Sequence, residues 1–219
     1  MPRRQDTAGK DAAPPTISTE RLVLTLFDPL TPSDYNEFIK VSNSPYTVSR
    51  NGDLGMHTRE DVDAKCKAFA LSRTPESDLS KATTTTFPTH PILLIRTRAS
   101  DEVIEVITLF QRRPFPFPDL GYAIHEPCMG QGYATEAAKG GLKFWRDDLG
   151  VENIWAGAFV ENTASHRVAE KIGFVHGGTF SVKLPDGHER HAYAFILPGG
   201  EPFPDGIVID AKPATSQSQ

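Results

Sequence analysis

The sequence holds only two cysteines in 219 residues, Cys66 and Cys128. Two thiols cannot form a disulfide framework, and neither lies in the clustered Cys/His spacing of a zinc site. Both read as free thiols, and no metal is expected. Long apolar runs are missing as well. Nothing approaches the ~20 residues that a bilayer span needs, and Arg3-Arg4 is not followed by the apolar stretch of a signal peptide. A soluble, cytoplasmic protein with no membrane partner is expected. An excess of positive charge is also lacking: 23 Lys and Arg against 28 Asp and Glu leave a formal net charge of −5. A phosphate backbone demands a concentrated basic surface, so no nucleic-acid partner is expected, and a basic or cationic substrate suits the chain better. The string GxxxxGK[ST] does not occur, which removes a Walker A phosphate loop.

With 38% hydrophobic residues the chain can bury a substantial core. The first 16 residues and those from Gly199 to the end are rich in Pro, Ala, Gly, Ser, Gln and charge. Both are expected to be disordered tails flanking a single domain over 17–198. Leu22, Leu24 and Leu26 alternate on an opening strand. Thr31-Pro32-Ser33-Asp34 begins a helix over 32–42, with Thr31 as N-cap candidate. A capping-box-like start at Thr58 leads a second helix whose Val62, Cys66, Phe69 and Arg73 share a face, which makes Cys66 a core residue and not a nucleophile. Two β-rich runs, 92–98 and 103–111, predict a hairpin, and the proline-broken segment 113–118 a surface loop. Then follow strand 120–125, helix 133–148, strand 153–160, helix 163–172 and a closing hairpin of 174–182 and 189–197, turning at Pro185-Asp186-Gly187-His188. The order predicts an α/β (α+β) domain, a mixed sheet with helices on both faces.

The stretch from Leu120 to Ala137 runs from a strand through a loop with Gly130 and Gly132 into a strongly helical segment. Glycines let a backbone approach a ligand closely, and the first N–H groups of a helix have no intrahelical partners, so a pyrophosphate site is expected here. The helix is expected to bury Ala134, Ala138, Gly141, Trp145 and Leu149. A dinucleotide fingerprint fits poorly, because Gly130-Gln-Gly132-Tyr-Ala-Thr135 places Thr where the pattern needs Gly or Ala, and Glu152 precedes the next strand instead of ending it.

The string GQGYATEA at 130–137 resembles the Gly-x-Gly-Tyr-Ala-Thr-Glu-Ala signature of RimJ/RimL-like acetyltransferases in the GNAT superfamily. Asn162-Thr-Ala-Ser165-His-Arg-Val-Ala-Glu-Lys171-Ile-Gly-Phe174 is similar to that family's second block, and weaker agreement extends from residue 18 to 197. The resemblance implies a mostly antiparallel GNAT sheet with a splayed central strand, acetyl-CoA as co-substrate, and acetyl transfer to a primary amine of a peptide N-terminus or a small molecule. It implies coenzyme contacts from Ile124, His125, Met129, Gly130, Gln131, Gly132, Tyr133, Ala134, Thr135, Asn162 and Ser165, with an oxyanion donor at the backbone N–H near Ile124.

Apart from any resemblance, Asn162 is a good N-cap, Ala164, Val168 and Ile172 form a stripe, and Gly173 suits a left-handed C-terminal position. Ala169 stands where many GNAT members carry a tyrosine acid, which nominates Ser165 to protonate the departing thiolate, a first-turn serine being its other reading. Asp186, His188, Glu189 and His191 lie where the resemblance would place a base, and His191 is preferred because a histidine side chain can accept a proton near neutral pH. Glu136, in the first helical turn, reads as structural. A non-catalytic acyl-CoA-binding module and a nicotinamide-dependent oxidoreductase remain the alternatives, and the chain is expected to be a monomer or homodimer.

Overall fold

The computed structural model describes residues 15–71, 87–184 and 187–210. Arg73, Pro185 and Asp186 fall outside these. Among the described residues nine strands form one sheet, ordered β1-β2-β3-β4-β5-β6-β8-β7-β9. In chain order the elements are β1 (Thr16–Ser18), β2 (Leu22–Leu26), α1 (Pro32–Ser42), α2 (Pro45–Asn51), α3 (Arg59–Ala68), β3 (Ile92–Thr97), β4 (Val103–Phe110), β5 (Asp119–Ile124), α4 (Tyr133–Lys143), β6 (Trp155–Phe159), α5 (Thr163–Lys171), β7 (Val175–Lys183), β8 (Glu189–Ile196) and β9 (Ile207–Asp210). Pairing is antiparallel except for β5 with β6 and β7 with β9. The expected mixed sheet with helices on both faces is what forms.

Local chemistry sets the helix starts. In α3 the Thr58 hydroxyl accepts from the Asp61 N–H while the Asp61 carboxylate accepts from the Thr58 N–H, a closed capping box. The Thr31 hydroxyl instead donates to Asp28, so α1 starts without a side-chain cap and relies on Pro32 at its first position. One face of the sheet packs on α1 and α3 through Phe27, Phe38, Val62, Cys66, Leu94 and Val106. Burial pushes the Cys66 thiol up to about 12, consistent with a core residue. The opposite face packs on α4 and α5 through Leu93, Ile107, Ala138, Leu142, Trp145 and Ala169. On α4 and its extension Ala138, Gly141 and Trp145 are buried as expected, Ala137, Leu142 and Phe144 join them, and Ala134 and Leu149 are only half-buried. Residues 144–148 continue α4 as a π turn.

Two expectations need correction. Segment 113–118 is not simply a surface loop: Phe115 is 2% exposed and lies against Trp155, Phe180 and Phe203 at ring-centroid distances of 4.1, 5.3 and 5.0 Å. Nor is the chain from Gly199 a tail throughout. Phe203 closes that aromatic cluster, and β9 adds a parallel strand to β7 with Phe180 opposite Ile207. Four residues of alternating burial were masked in the sequence by their proline- and glycine-rich surroundings. At the other end, Thr16 already belongs to β1.

Candidate active site

Parallel strands β5 and β6 touch at one partner pair, Asp119 opposite Trp155, where the Trp155 N–H donates to the Pro118 carbonyl at 3.1 Å. Beyond it the strands diverge. The His125 N–H donates to Ile104 O at 2.9 Å, so odd-numbered residues of β5 direct their backbone groups toward β4. Alternation of the ladder then turns the Tyr122 and Ile124 N–H groups toward β6, past the last bridge. Two cavities open into this wedge, of about 350 and 430 Å³. They share Asn51, Tyr122, Ala123, Asn162 and Ser165.

The smaller cavity is built around the start of α4. Gly130 and Gly132 hold φ of 73° and 81°, and an added Cβ at Gly130 would meet no atom within 4 Å. The backbone at that turn is therefore open to a ligand. Glu136 N–H bonds Gly132 O at 3.0 Å, which leaves the Tyr133, Ala134 and Thr135 N–H groups without intrahelical partners. The arrangement suits a pyrophosphate, with Arg50, Arg167 and Lys171 on the same walls to supply positive charge. Sequence reading missed these three. The i, i+4 spacing of Arg167 and Lys171 was a signal, whereas Arg50 arrives from a distant helix.

Behind the loop, Glu136 accepts from the Thr19 hydroxyl at 2.6 Å and from the Arg21 backbone N–H and Nε, both at 2.7 Å. The Arg21 guanidinium also donates to Gln131 O at 2.9 Å and covers the Tyr133 ring at 4.6 Å. Burial alone would raise the Glu136 carboxyl, but these donors outweigh it and hold the pKa below its ordinary value. Glu136 ties the loop to the β1–β2 connection. Of the expected coenzyme contacts, Ile124, Met129, Gly130, Gly132, Tyr133, Ala134, Thr135, Asn162 and Ser165 line this cavity. His125 and Gln131 do not. The His125 N–H is committed to β4 and its Nε2 is buried, while Gln131 is tied to Pro127 and Arg21.

Comparison with known proteins agrees with this geometry. The acetyltransferase (GNAT) domain family matches residues 24–175, more than half of the chain. The chain belongs to the GNAT acetyltransferase family. It is 27% identical over 183 residues to the uncharacterized N-acetyltransferase YnaD of Bacillus subtilis (strain 168), covering 82% of this chain and 96% of that protein. Its fold is similar to that of a GNAT-family acetyltransferase from Bacillus anthracis, with a TM-score of 0.59, 21% identity and coverage of 83% and 97% of the two chains. The ribosomal-protein-S5-alanine acetyltransferase of Vibrio fischeri gives a TM-score of 0.61 at 16% identity, with coverage of 86% and 99%. The protein is thus an acyltransferase, and GNAT domains use acetyl-CoA as co-substrate.

The larger cavity opens on the other side of the wedge, across β5 and β6. Asn162 caps α5, its side chain accepting from the Ser165 N–H at 3.3 Å. Ser165 faces both cavities, and its carbonyl accepts from the Tyr122 hydroxyl at 3.0 Å. Burial raises the Tyr122 pKa. Ala169, at the position many GNAT enzymes give to a tyrosine, is 1% exposed and packed in the core, so no side chain there reaches either cavity. Of the expected stripe on α5, Ile172 is buried and Ala164 is exposed at the cavity mouth; Gly173 has φ 98° as anticipated.

His191 is not brought to the site. On β8, Ala192 faces the cavity, so strand alternation turns His191 to the other face, where its Nδ1 lies 3.0 Å from the Ser181 hydroxyl. His188 and Glu189 line neither cavity, and Asp186 is outside the described residues. The structure brings in instead Asp119, paired with Arg112 at 2.8 Å. Burial raises the Asp119 carboxyl, Arg112 opposes that shift in part, and Oδ1 has no hydrogen-bond partner among the described residues. Cys66 and Cys128 are free thiols. Among the described residues no His/Cys/Asp/Glu group could hold a metal, and no helix is long and apolar enough to cross a membrane.

Proposed function

We propose that the protein is an N-acetyltransferase of the RimJ/RimL-like branch, passing the acetyl group of acetyl-CoA directly to a primary amine within one ternary complex. The observation that carries this reading is the meeting of the two cavities at Tyr122, Ala123, Asn162 and Ser165. A nucleotide-bearing thioester in the smaller cavity and an amine in the larger one would come together there with no covalent enzyme intermediate required.

In the forward reaction the amine nitrogen bonds to the acetyl carbon, the carbon–sulfur bond breaks, and the amine gives up a proton as the thiolate gains one. The α4 N–H groups and the basic residues Arg50, Arg167 and Lys171 hold the coenzyme phosphates. The Tyr122 and Ile124 N–H groups face the split and donate to the carbonyl oxygen as negative charge develops; one such donor is worth about 2.7–4 kcal/mol in acyl-transfer enzymes. Ser165, on the seam between the two cavities, supplies the proton to sulfur. Apolar walls around the amine, Phe159 and Val106 among them, disfavour the ammonium form and lower its pKa, so deprotonation does not depend on His191.

The test is thiol release from acetyl-CoA by the purified protein with a panel of amines and peptides, alongside acetyl-CoA binding by calorimetry. Amine-dependent release supports the reading. Tight binding without release for any amine would remove the transferase step.

A further inference from the structure

Asn51, Asn162 and Ser165 line the larger cavity at the wedge, and at the start of β5 Asp119 pairs with Arg112, whose guanidinium lies over the Phe69 ring at 5.7 Å. Phe110 and Trp155 are the partners of Asp119 on β4 and β6, and Phe180 lies edge-on to Trp155, so rings flank the ion pair. Asp53, Lys65, Thr108 and Asp210 add polar groups elsewhere in the lining. Asp119 is 3% exposed, lines the cavity, and keeps Oδ1 without a hydrogen-bond partner among the described residues. Tyr122 lies three residue steps along the strand, roughly 10 Å at ~3.3 Å per step. A polypeptide threaded past Phe110, Trp155 and Phe180 would place peptide N–H and C=O groups against rings that cannot pair them. The far wall is also closed by Ile209 and Asp210 of β9, a strand beyond the family match at 24–175.

Resting on the acetyl-transfer reading, we propose that the acceptor is a compact primary amine with a ring-sized apolar body and a neutral hydrogen-bond donor at its far end, not a polypeptide N-terminus. The ring lies among Phe110, Trp155 and Phe180, and the donor, a hydroxyl, reaches Asp119 Oδ1. A second ammonium is disfavoured there because the Arg112 cation already stands beside Asp119.

The experiment compares tyramine, phenethylamine and a tripeptide with a free N-terminus by kcat/KM from thiol release, with acetyl-CoA affinity measured separately by calorimetry. The wild type is expected to favour tyramine over phenethylamine by about tenfold, the size of a buried hydrogen bond to a charged group, and both over the peptide. Replacing the ion pair together, Arg112→Met with Asp119→Leu, leaves no unpaired charge and keeps the fold; the tyramine-to-phenethylamine ratio should fall to about one or below. Acetyl-CoA binding with the peptide as best acceptor, or a ratio unmoved by the double variant, overturns this inference alone. Failure of the wild type to bind acetyl-CoA overturns the transfer reading and the inference with it.

Discussion

The proposed coenzyme side of the wedge and the proposed acceptor side are built in different ways. The first comes mostly from two continuous stretches, the loop into α4 and the start of α5, where glycine conformations, free helix N–H groups and an asparagine cap fix the geometry locally. The second is assembled from α1, α3, β4, β5, β6, β7, β8 and β9, segments far apart in the chain, and its shape is held by aromatic packing. A locally specified site can be recognised from a short string. A packed one exists only once the fold has formed, and substitutions in its walls leave no signature.

That contrast can be broken at several points. The largest effect should come from Phe115→Ala, which empties the centre of the aromatic cluster: about 3–5 kcal/mol of stability lost in denaturant unfolding, with acetyl-CoA affinity per folded molecule retained. Next is Ser165→Ala, expected to lower kcat by about a hundredfold while leaving acetyl-CoA affinity within about twofold; equal rates would take the proton-donor role away. Gly132→Val forces a branched residue to φ 81° and distorts the anion loop, so acetyl-CoA affinity should drop about tenfold or more with the chain still folded by circular dichroism.

Glu136→Gln should cost about 1–2 kcal/mol by weakening the tie to the β1–β2 connection. Because the folded carboxyl sits below its ordinary value of 4.5, its contribution is full above that pH and is lost as the pH falls through the depressed folded value. The wild-type advantage over Glu136→Gln in Tm should accordingly shrink between pH 5 and pH 3, a flat difference being the contrary result. Smallest is His191→Ala, for which kcat/KM should stay within about twofold across pH 6–8. A large loss would bring the histidine back into the reaction.

Legibility in the sequence followed the same division. Periodicity and capping placed α1, α3, α4 and α5, as at Thr58–Asp61, but missed α2, and the glycine loop predicted free N–H groups that the fold shows. The resemblance supplied the splayed strand, and the single bridge between β5 and β6 gives it substance. What could not be read depended on distant partners. Asp119 looks like an ordinary strand-start acid until Arg112 lies beside it, and Phe115 like a loop residue until Phe203 and Trp155 close over it. β9 was obscured because its pairing partner is a strand already committed to a hairpin. His191 failed for a simpler reason. Proximity in sequence to a cavity-lining residue places a strand side chain on the opposite face.

The central claim, that the loop opening α4 holds the coenzyme while the wedge joins it to the acceptor, is met most directly by titration calorimetry with acetyl-CoA, and with NADH as control, on the wild type and on Gly132→Val. The account predicts micromolar binding of acetyl-CoA alone by the wild type and its loss in the folded variant. Equal affinity in both proteins, or heat only with NADH, would contradict it.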